Sequence, residues 1–508
     1  TDNRETKYTV TGGTAGSAGQ GIGSGLFLAG SASYSVSAGN TVTLADTLGG
    51  GVNSQITGGF AKIGQGTLVL AGTNSFTGGV TLADGTLSVG SDANLGDAGN
   101  ALIFNGGTLQ ITGNTFASTP RTIQWTSGGF DIADPLHTFT VDQTLIGGTL
   151  TKTGPGTLQL GGSADNVGLG ALVNAGTLVL AKASTPDVHA IGGGGLTINN
   201  GTARLAGTGN DQVWDGAGVT LNAGTFDLAG LTETINTLNG SGGVLTNSTG
   251  NGVLTVSSGD FAGGTSLSGG GSISLIKQGA GTLNLTGVTD NAFLGVTVNG
   301  GTIVLAKDSN PGVHALGGGL TINSGGLAQL AGTGGDQIFD GTGVTLNAGT
   351  FDLNGRNETI ASLNGNGTVT SSAPATLSVG SGDYSGVITD AVGLHKVGTG
   401  TRVLSGDSTY TGPTVIAGGT LEASSLRNGG VASSIGASSS SAGSFVLDGG
   451  TLRSAGASAV GGTDRLFTVT QNGGTLDASI PTGTMFFTNP GPVAFTGTGP
   501  RTLTLTGT

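Results

Sequence analysis

Apolar residues alternate with Thr and other polar residues in short bursts set off by glycine. Most bursts share one five-residue word: Gly, Thr, an apolar residue, any residue, and usually a second apolar residue. The word begins at Gly66 (GTLVL), Gly85 (GTLSV), Gly107 (GTLQI), Gly156 (GTLQL), Gly176 (GTLVL), Gly224 (GTFDL), Gly281 (GTLNL), Gly301 (GTIVL) and Gly349 (GTFDL). Weaker versions start at Gly400, Gly419, Gly450 and Gly474. Alternation with period two predicts a short strand with one buried face, and the preceding Gly or Asn-Gly supplies the turn.

The closest successive words lie 19 to 22 residues apart, as at Gly66, Gly85 and Gly107, at Gly156 and Gly176, and at Gly281 and Gly301. Such a period is the coil length of a solenoid, whereas a sandwich or propeller blade needs hairpins that reverse direction over longer repeats. The predicted fold is all-β: a right-handed parallel β-helix with about 20 to 25 residues per coil. At ~4.8 Å between stacked strands, roughly 23 coils would make a rod of ~110 Å. A longer repeat lies over the short one. Lys152 (KTGPGTLQL) and Lys277 (KQGAGTLNL), His189 and His314, Asp211 and Asp336, and Phe226 and Phe351 all keep an offset of 125 residues. The expected organisation is N-terminal coils or an irregular β segment over 1–59 and a β-helix over 60–149. Two copies of a duplicated block follow over 150–274 and 275–393, then a last β-helical stretch over 394–508.

Composition narrows the class. Of 508 residues 106 are Gly, which disfavours helical enzyme architecture. Only 9% are charged, and the net charge of -13 disfavours nucleic acids and anionic membranes. A hydrophobic content of 35% is too high for a disordered chain. With no Cys, disulfides, thiolate catalysis and Cys-ligated metals are excluded. The chain has no apolar run long enough for a membrane helix, and Thr1–Val10 (TDNRETKYTV) lacks the form of a signal peptide. Any export signal is therefore expected outside it.

Four segments extend the word: FAKIGQGTLVLAGTNSFTGGVTLADGTLSVG from Phe60, LTKTGPGTLQLGG from Leu150, LIKQGAGTLNLTG from Leu275, and LHKVGTGTRVLSGDSTYTGPTVIAGGTLEA from Leu394. They resemble the passenger-associated transport repeat of bacterial autotransporters. The first and fourth match over their full length. The second and third match through Lys-x-Gly-x-Gly-Thr and depart afterwards, reading DNVGLGA from Asp165 and DNAFLGV from Asp290. The resemblance implies a secreted passenger at the outer surface of a Gram-negative bacterium, tied to the membrane only through a C-terminal barrel that this sequence does not show. The final GPRTLTLTGT from Gly499 reads as the opening of another repeat, so a fragment of a longer protein is expected.

The most suggestive local motif is GTGNDQVWDG from Gly207, matched by GTGGDQIFDG from Gly332. Its start resembles the calcium-binding nonapeptide of RTX solenoids, which makes Asp211, Asp215, Asp336 and Asp340 candidate calcium ligands. Each copy stands alone, and the alternative is a wide turn whose carboxylates accept backbone N–H bonds. Trp214 and Phe339 either stack on a sugar ring or close a loop or coil core. His189 and His314 read as histidines at coil corners, untied to any Ser or Asp by a known catalytic spacing. The glycine-rich stretch from Gly16 lacks the Gly-Lys-Ser/Thr of a phosphate loop. No catalytic constellation is present, so the chain is read as a non-enzymatic adhesin, aggregation or biofilm rod. Its expected partners are further copies of itself, surface glycans or matrix proteins, and not nucleic acid. The alternatives are an extracellular filament subunit and, behind it, a polysaccharide-active enzyme.

Overall fold

The computed structural model describes residues 8–9, 31–49, 59–454, 462–479 and 485–507. The glycine-rich stretch from Gly16 and most of the 1–59 segment lie outside the described residues. The chain divides into two compact units, Thr1–Gly252 and Val253–Thr508. Both are parallel β-solenoids, as the spacing of the words predicts. Among the described residues the only helices are two 3-10 turns, Asp92–Leu95 and Ala442–Ser444, and no helix is long and apolar enough to cross a membrane. Named strands pair in parallel except Tyr8–Thr9, which runs antiparallel to Ala32–Ser35.

Within the first unit most coils contribute two short strands, while Leu102–Ile111 and Ile123–Ile132 each run on as one ten-residue strand, and equivalent strands stack in register. One series runs Thr138–Val141, Thr157–Leu160, Thr177–Leu180, Thr202–Leu205, Thr225–Asp227 and Val244–Asn247. Register places Phe139, Leu158, Leu178, Ala203, Phe226 and Leu245 in one column, and all six are buried. Thr138, Thr157, Thr177, Thr202 and Thr225 form the adjacent column, pointing to the other face. The second series carries Leu150, Ala171, Leu196, Val219 and Leu238 inward. The five-residue word is thus one rung: its apolar positions fill the interior and its Thr lies outside, where a β-branched side chain suits the pleated surface.

The second unit repeats the scheme. Leu283, Ile303, Ala328, Phe351, Val369 and Ile388 form its buried column. On the outside of each unit a short Asn ladder runs from coil to coil. Asn222 donates to Asn199 at 2.9 Å, and Asn199 to Asn174 at 3.0 Å. In the second unit Asn347 donates to Asn323 at 2.9 Å, and Asn323 to Asn299 at 2.7 Å. Amide side chains both donate and accept, so one residue type satisfies itself along a stack without adding charge.

The columns set the cost of damage. Leu178 lies between Leu158 and Ala203 with no exposed surface. Leu178→Ala is expected to cost about 2–5 kcal/mol in urea unfolding, whereas Thr177→Ala, facing outward beside it, should stay within about 0.5 kcal/mol.

Candidate functional site

Among the polar clusters that interrupt the apolar interior of the described residues, two kinds recur at coil corners. The first is built on the lysine of the longer repeat. Lys62, Lys152, Lys277 and Lys396 each lie last or next to last in a strand just before the Gly-x-Gly turn, and all four are fully buried. None of them has a carboxylate as its hydrogen-bond partner. The Lys152 ammonium donates to the carbonyls of Thr153 (2.6 Å), Gly154 (2.8 Å) and, from the following coil, Ala175 (3.2 Å). Lys62 reaches Ile63, Gly64 and Asp84, Lys277 reaches Gln278, Gly279 and Gly300, and Lys396 reaches Val397, Gly398 and Gly418.

A tight corner turns its carbonyls inward, and an unpaired buried carbonyl is costly. An ammonium carries three donors in a compact head, which matches three converging carbonyls. Burial pushes Lys152 and Lys396 down to about 8 and lowers Lys62 and Lys277 as well. The fit also explains a glycine in each repeat. Gly85, Gly176, Gly301 and Gly419 have φ between 59° and 63°, and a Cβ on any of them would lie 2.7–2.8 Å from the lysine nitrogen.

The second cluster occurs once in each duplicated block. His189 is buried, and its Nδ1 lies 3.2 Å from Asp165, one coil earlier, which also accepts the His189 backbone N–H at 2.8 Å. Its Nε2 lies 3.5 Å from Asp211, one coil later. His314 repeats this with Asp290 at 3.3 Å and Asp336 at 3.5 Å. Burial raises Asp211 and Asp336 despite the neighbouring imidazoles. Each ring therefore spans three successive coils, carboxylate to imidazole to carboxylate. Both nitrogens face carboxylates: the Nδ1 side is hydrogen-bonded, and the Asp211 and Asp336 oxygens facing Nε2 are buried without a hydrogen-bond partner, so each array links its coils through Asp165 or Asp290.

The residues after the Asp continue the latch. The Gln212 side chain pairs with the backbone of Lys182, donating from Nε2 to its carbonyl at 2.9 Å and accepting its N–H at 3.0 Å. Glu233, one coil further on, accepts the backbone N–H groups of Gln212 (3.0 Å) and Val213 (3.3 Å). Gln337 makes the same two bonds with Lys307, and Glu358 accepts the Gln337 N–H at 3.0 Å. Burial outweighs these N–H bonds and pushes Glu233 and Glu358 up to about 8.

Of the four candidate calcium ligands, Asp211 and Asp336 face histidines, while Asp215 and Asp340 are exposed. Among the described residues no group of three or more His, Asp or Glu side chains is arranged to hold a metal ion. Trp214 and Phe339 do not plug the core: they are 46% and 48% exposed. Trp214 lies over Gly216 and Gly193, where a Cβ would meet its ring, so the glycines of the turn make room for an outward aromatic. Beside it opens a cleft of about 390 Å³, lined by Asp165, His189 and Trp214 among others.

Local spacing could not find Asp165 or Asp290, because their partners are 24 residues away along the chain. A signal was nonetheless present. Both Asp residues open the stretches DNVGLGA and DNAFLGV, where the second and third repeats leave the pattern of the first and fourth. In those outer repeats the same turn buries Phe76 and Tyr410.

Two outcomes follow. Lys152→Met keeps the aliphatic stem and removes the donors from three carbonyls, so it should lower stability by at least about 1–3 kcal/mol in urea unfolding. Gly176→Ala, which collides with the Gly154 and Gly156 carbonyl oxygens as well as the same ammonium, should be comparably destabilising. Glu233 and Glu358 hold protons up to about pH 8 when folded and release them near 4.5 when unfolded. The folded state therefore binds more protons across that window, and stability falls as pH rises through it. Thermal midpoints should be higher at pH 5 than at pH 8, and the double variant Glu233→Gln, Glu358→Gln should flatten the difference.

The passenger-associated transport repeat family matches residues 60–89, 150–180, 275–305 and 394–423, and each match contains one of the four corner lysines. The chain is 34% identical over 503 residues to the adhesin BmaC autotransporter of Brucella suis biovar 1 (strain 1330). That alignment covers 93% of this chain and 12% of the length of the Brucella protein. No solved structure matches the chain. The four repeats, whose lysines close the corners of a parallel β-solenoid, and the alignment of nearly the whole chain with part of an autotransporter adhesin support an autotransporter passenger displayed at the outer surface of a Gram-negative bacterium.

Proposed function

We propose that this segment acts as an adhesin-type passenger, attaching the cell to other cells or to a colonised surface and so promoting aggregation and biofilm growth. One observation carries the reading: the outward cluster around His189 and Trp214 is built a second time around His314 and Phe339, with its coil-to-coil latch intact. An enzyme gains little from a second copy of one corner of a solenoid. A binding surface gains avidity, because linked weak contacts act at a high effective concentration. Solenoids accept such duplication because each coil contacts only its neighbours. The similarity to an autotransporter adhesin supports the same reading.

The test removes one copy without breaking the coil register. Deleting residues 150–274 joins Thr149 to Leu275, the equivalent of Leu150. At equal surface display, bacteria carrying the deletion should lose attachment to epithelial cells and autoaggregation several-fold. Unchanged attachment would overturn the proposal.

A further inference from the structure

The cleft beside Trp214 has features that the latch does not need. An imidazole that only joins Asp165 to Asp211 requires no exposed ring next to it, yet an indole is held there about half in solvent. The indole is well fixed: the Trp214 backbone N–H donates to the Ile191 carbonyl at 2.9 Å, and its carbonyl accepts the Ala217 N–H at 2.7 Å. Its ring rests on the bare turn at Gly216. Pro186 and Val167 add apolar surface to the cleft, while Asp165, Asp187 and His189 supply its polar groups. At about 390 Å³ it is the size of a small-ligand site, with an apolar platform and a few polar groups that converge on it.

We infer that this cleft is a sugar-binding subsite, in which the C–H face of a neutral hexose or N-acetylhexosamine stacks on Trp214 and its hydroxyls bond Asp165 and Asp187. The second block keeps the aromatic platform and one of the two hydroxyl partners, with Phe339, Asp290, His314 and Pro311 in the equivalent positions. Comparison of the copies separates sugar from its chief competitor, an organic cation. A cation would be held by net negative charge over an aromatic face. Between the blocks, however, Asp187 is replaced by Gly312, whereas the aromatic, the Pro and the Asp-His-Asp array are all kept. The facing oxygen of Asp165 is moreover already bonded by the His189 ring and backbone N–H. The retained set is a stacking platform with directional hydrogen-bonding groups, and that is what a pyranose ring requires.

This inference rests on the adhesin reading, and its test uses the soluble 508-residue chain so that the two can fail separately. Methyl glycosides of glucose, galactose, mannose, N-acetylglucosamine and N-acetylgalactosamine would be titrated with tryptophan fluorescence and saturation-transfer NMR as readouts, and choline as the competing probe. At least one glycoside should shift the Trp214 emission and receive saturation at its ring protons, while Trp125→Phe leaves the shift unchanged. The double variant Trp214→Ala, Phe339→Ala should weaken binding about tenfold, and Trp214→Phe, which installs the aromatic of the second block, should restore most of it in the NMR readout. Absence of any glycoside response, full binding by the double alanine variant, or a response to choline alone would overturn the sugar assignment. Attachment lost on deleting 150–274 would still stand as support for adhesion.

Discussion

The constraint on which the structure depends is that no coil can satisfy its own backbone. A strand of three to five residues has no partner within its coil, so its N–H and C=O groups bond the coils before and after it. From this follow the short strands, the fixed register and the uniform rungs. It also explains why charge is scarce: a stacked position repeats in every coil, and like charges in register repel. The outer columns are accordingly Thr and Asn, which bond along a stack without accumulating charge.

Strand stacking leaves one place unsolved, the corner. There the chain turns too sharply for a ladder, and carbonyls from two successive coils point into the same buried space. The repeat lysine answers this with a cation in place of a carboxylate–ammonium pair, because three donors on one small head match three acceptors. An arginine fork is planar and wider, and would not close the same triangle. The lowered proton affinity of these lysines measures the cost of keeping the charge out of water. Glycines such as Gly176 and Gly301 owe their place to the corner itself: their φ is unfavourable for other residues, and a Cβ would meet backbone carbonyl oxygens of the preceding coil even more closely than the ammonium, which it would meet at 2.8 Å.

Much of this was legible in the sequence. Period-two words at twenty-residue spacing carry the parallel fold, and Lys-x-Gly-x-Gly-Thr carries the family resemblance, because both depend on local order along the chain. The role of the lysine was not legible, since its third acceptor, as at Ala175 for Lys152, lies a whole coil away. The His–Asp latch was hidden for the same reason. Asp211 was singled out through its motif, but its neighbour His189 was read as a corner histidine tied to no Ser or Asp by a known catalytic spacing. Trp214 and Phe339 stood open between core and surface, and what decided it was the bare glycine turn beneath the ring, which alternation along a strand does not encode. In a solenoid the informative spacing for chemistry is one coil, and departures from a repeat mark where chemistry was inserted.

The latches share a direction. Lys62, Lys152, Lys277 and Lys396 each take their third carbonyl from the coil that follows. The backbone of Lys182 is paired by Gln212, the N–H of Gln212 by Glu233, and His189 Nε2 faces Asp211, each time a residue further along the chain. A coil thus holds buried donors and acceptors whose partners arrive with its successor, and until then those groups must stay hydrated or go unpaired. Docking the next coil gains more than apolar contact: it completes the polar interior of the coil already in place. Cooperativity therefore couples each coil to its neighbours, and it is set by a few buried polar side chains as well as by the apolar columns.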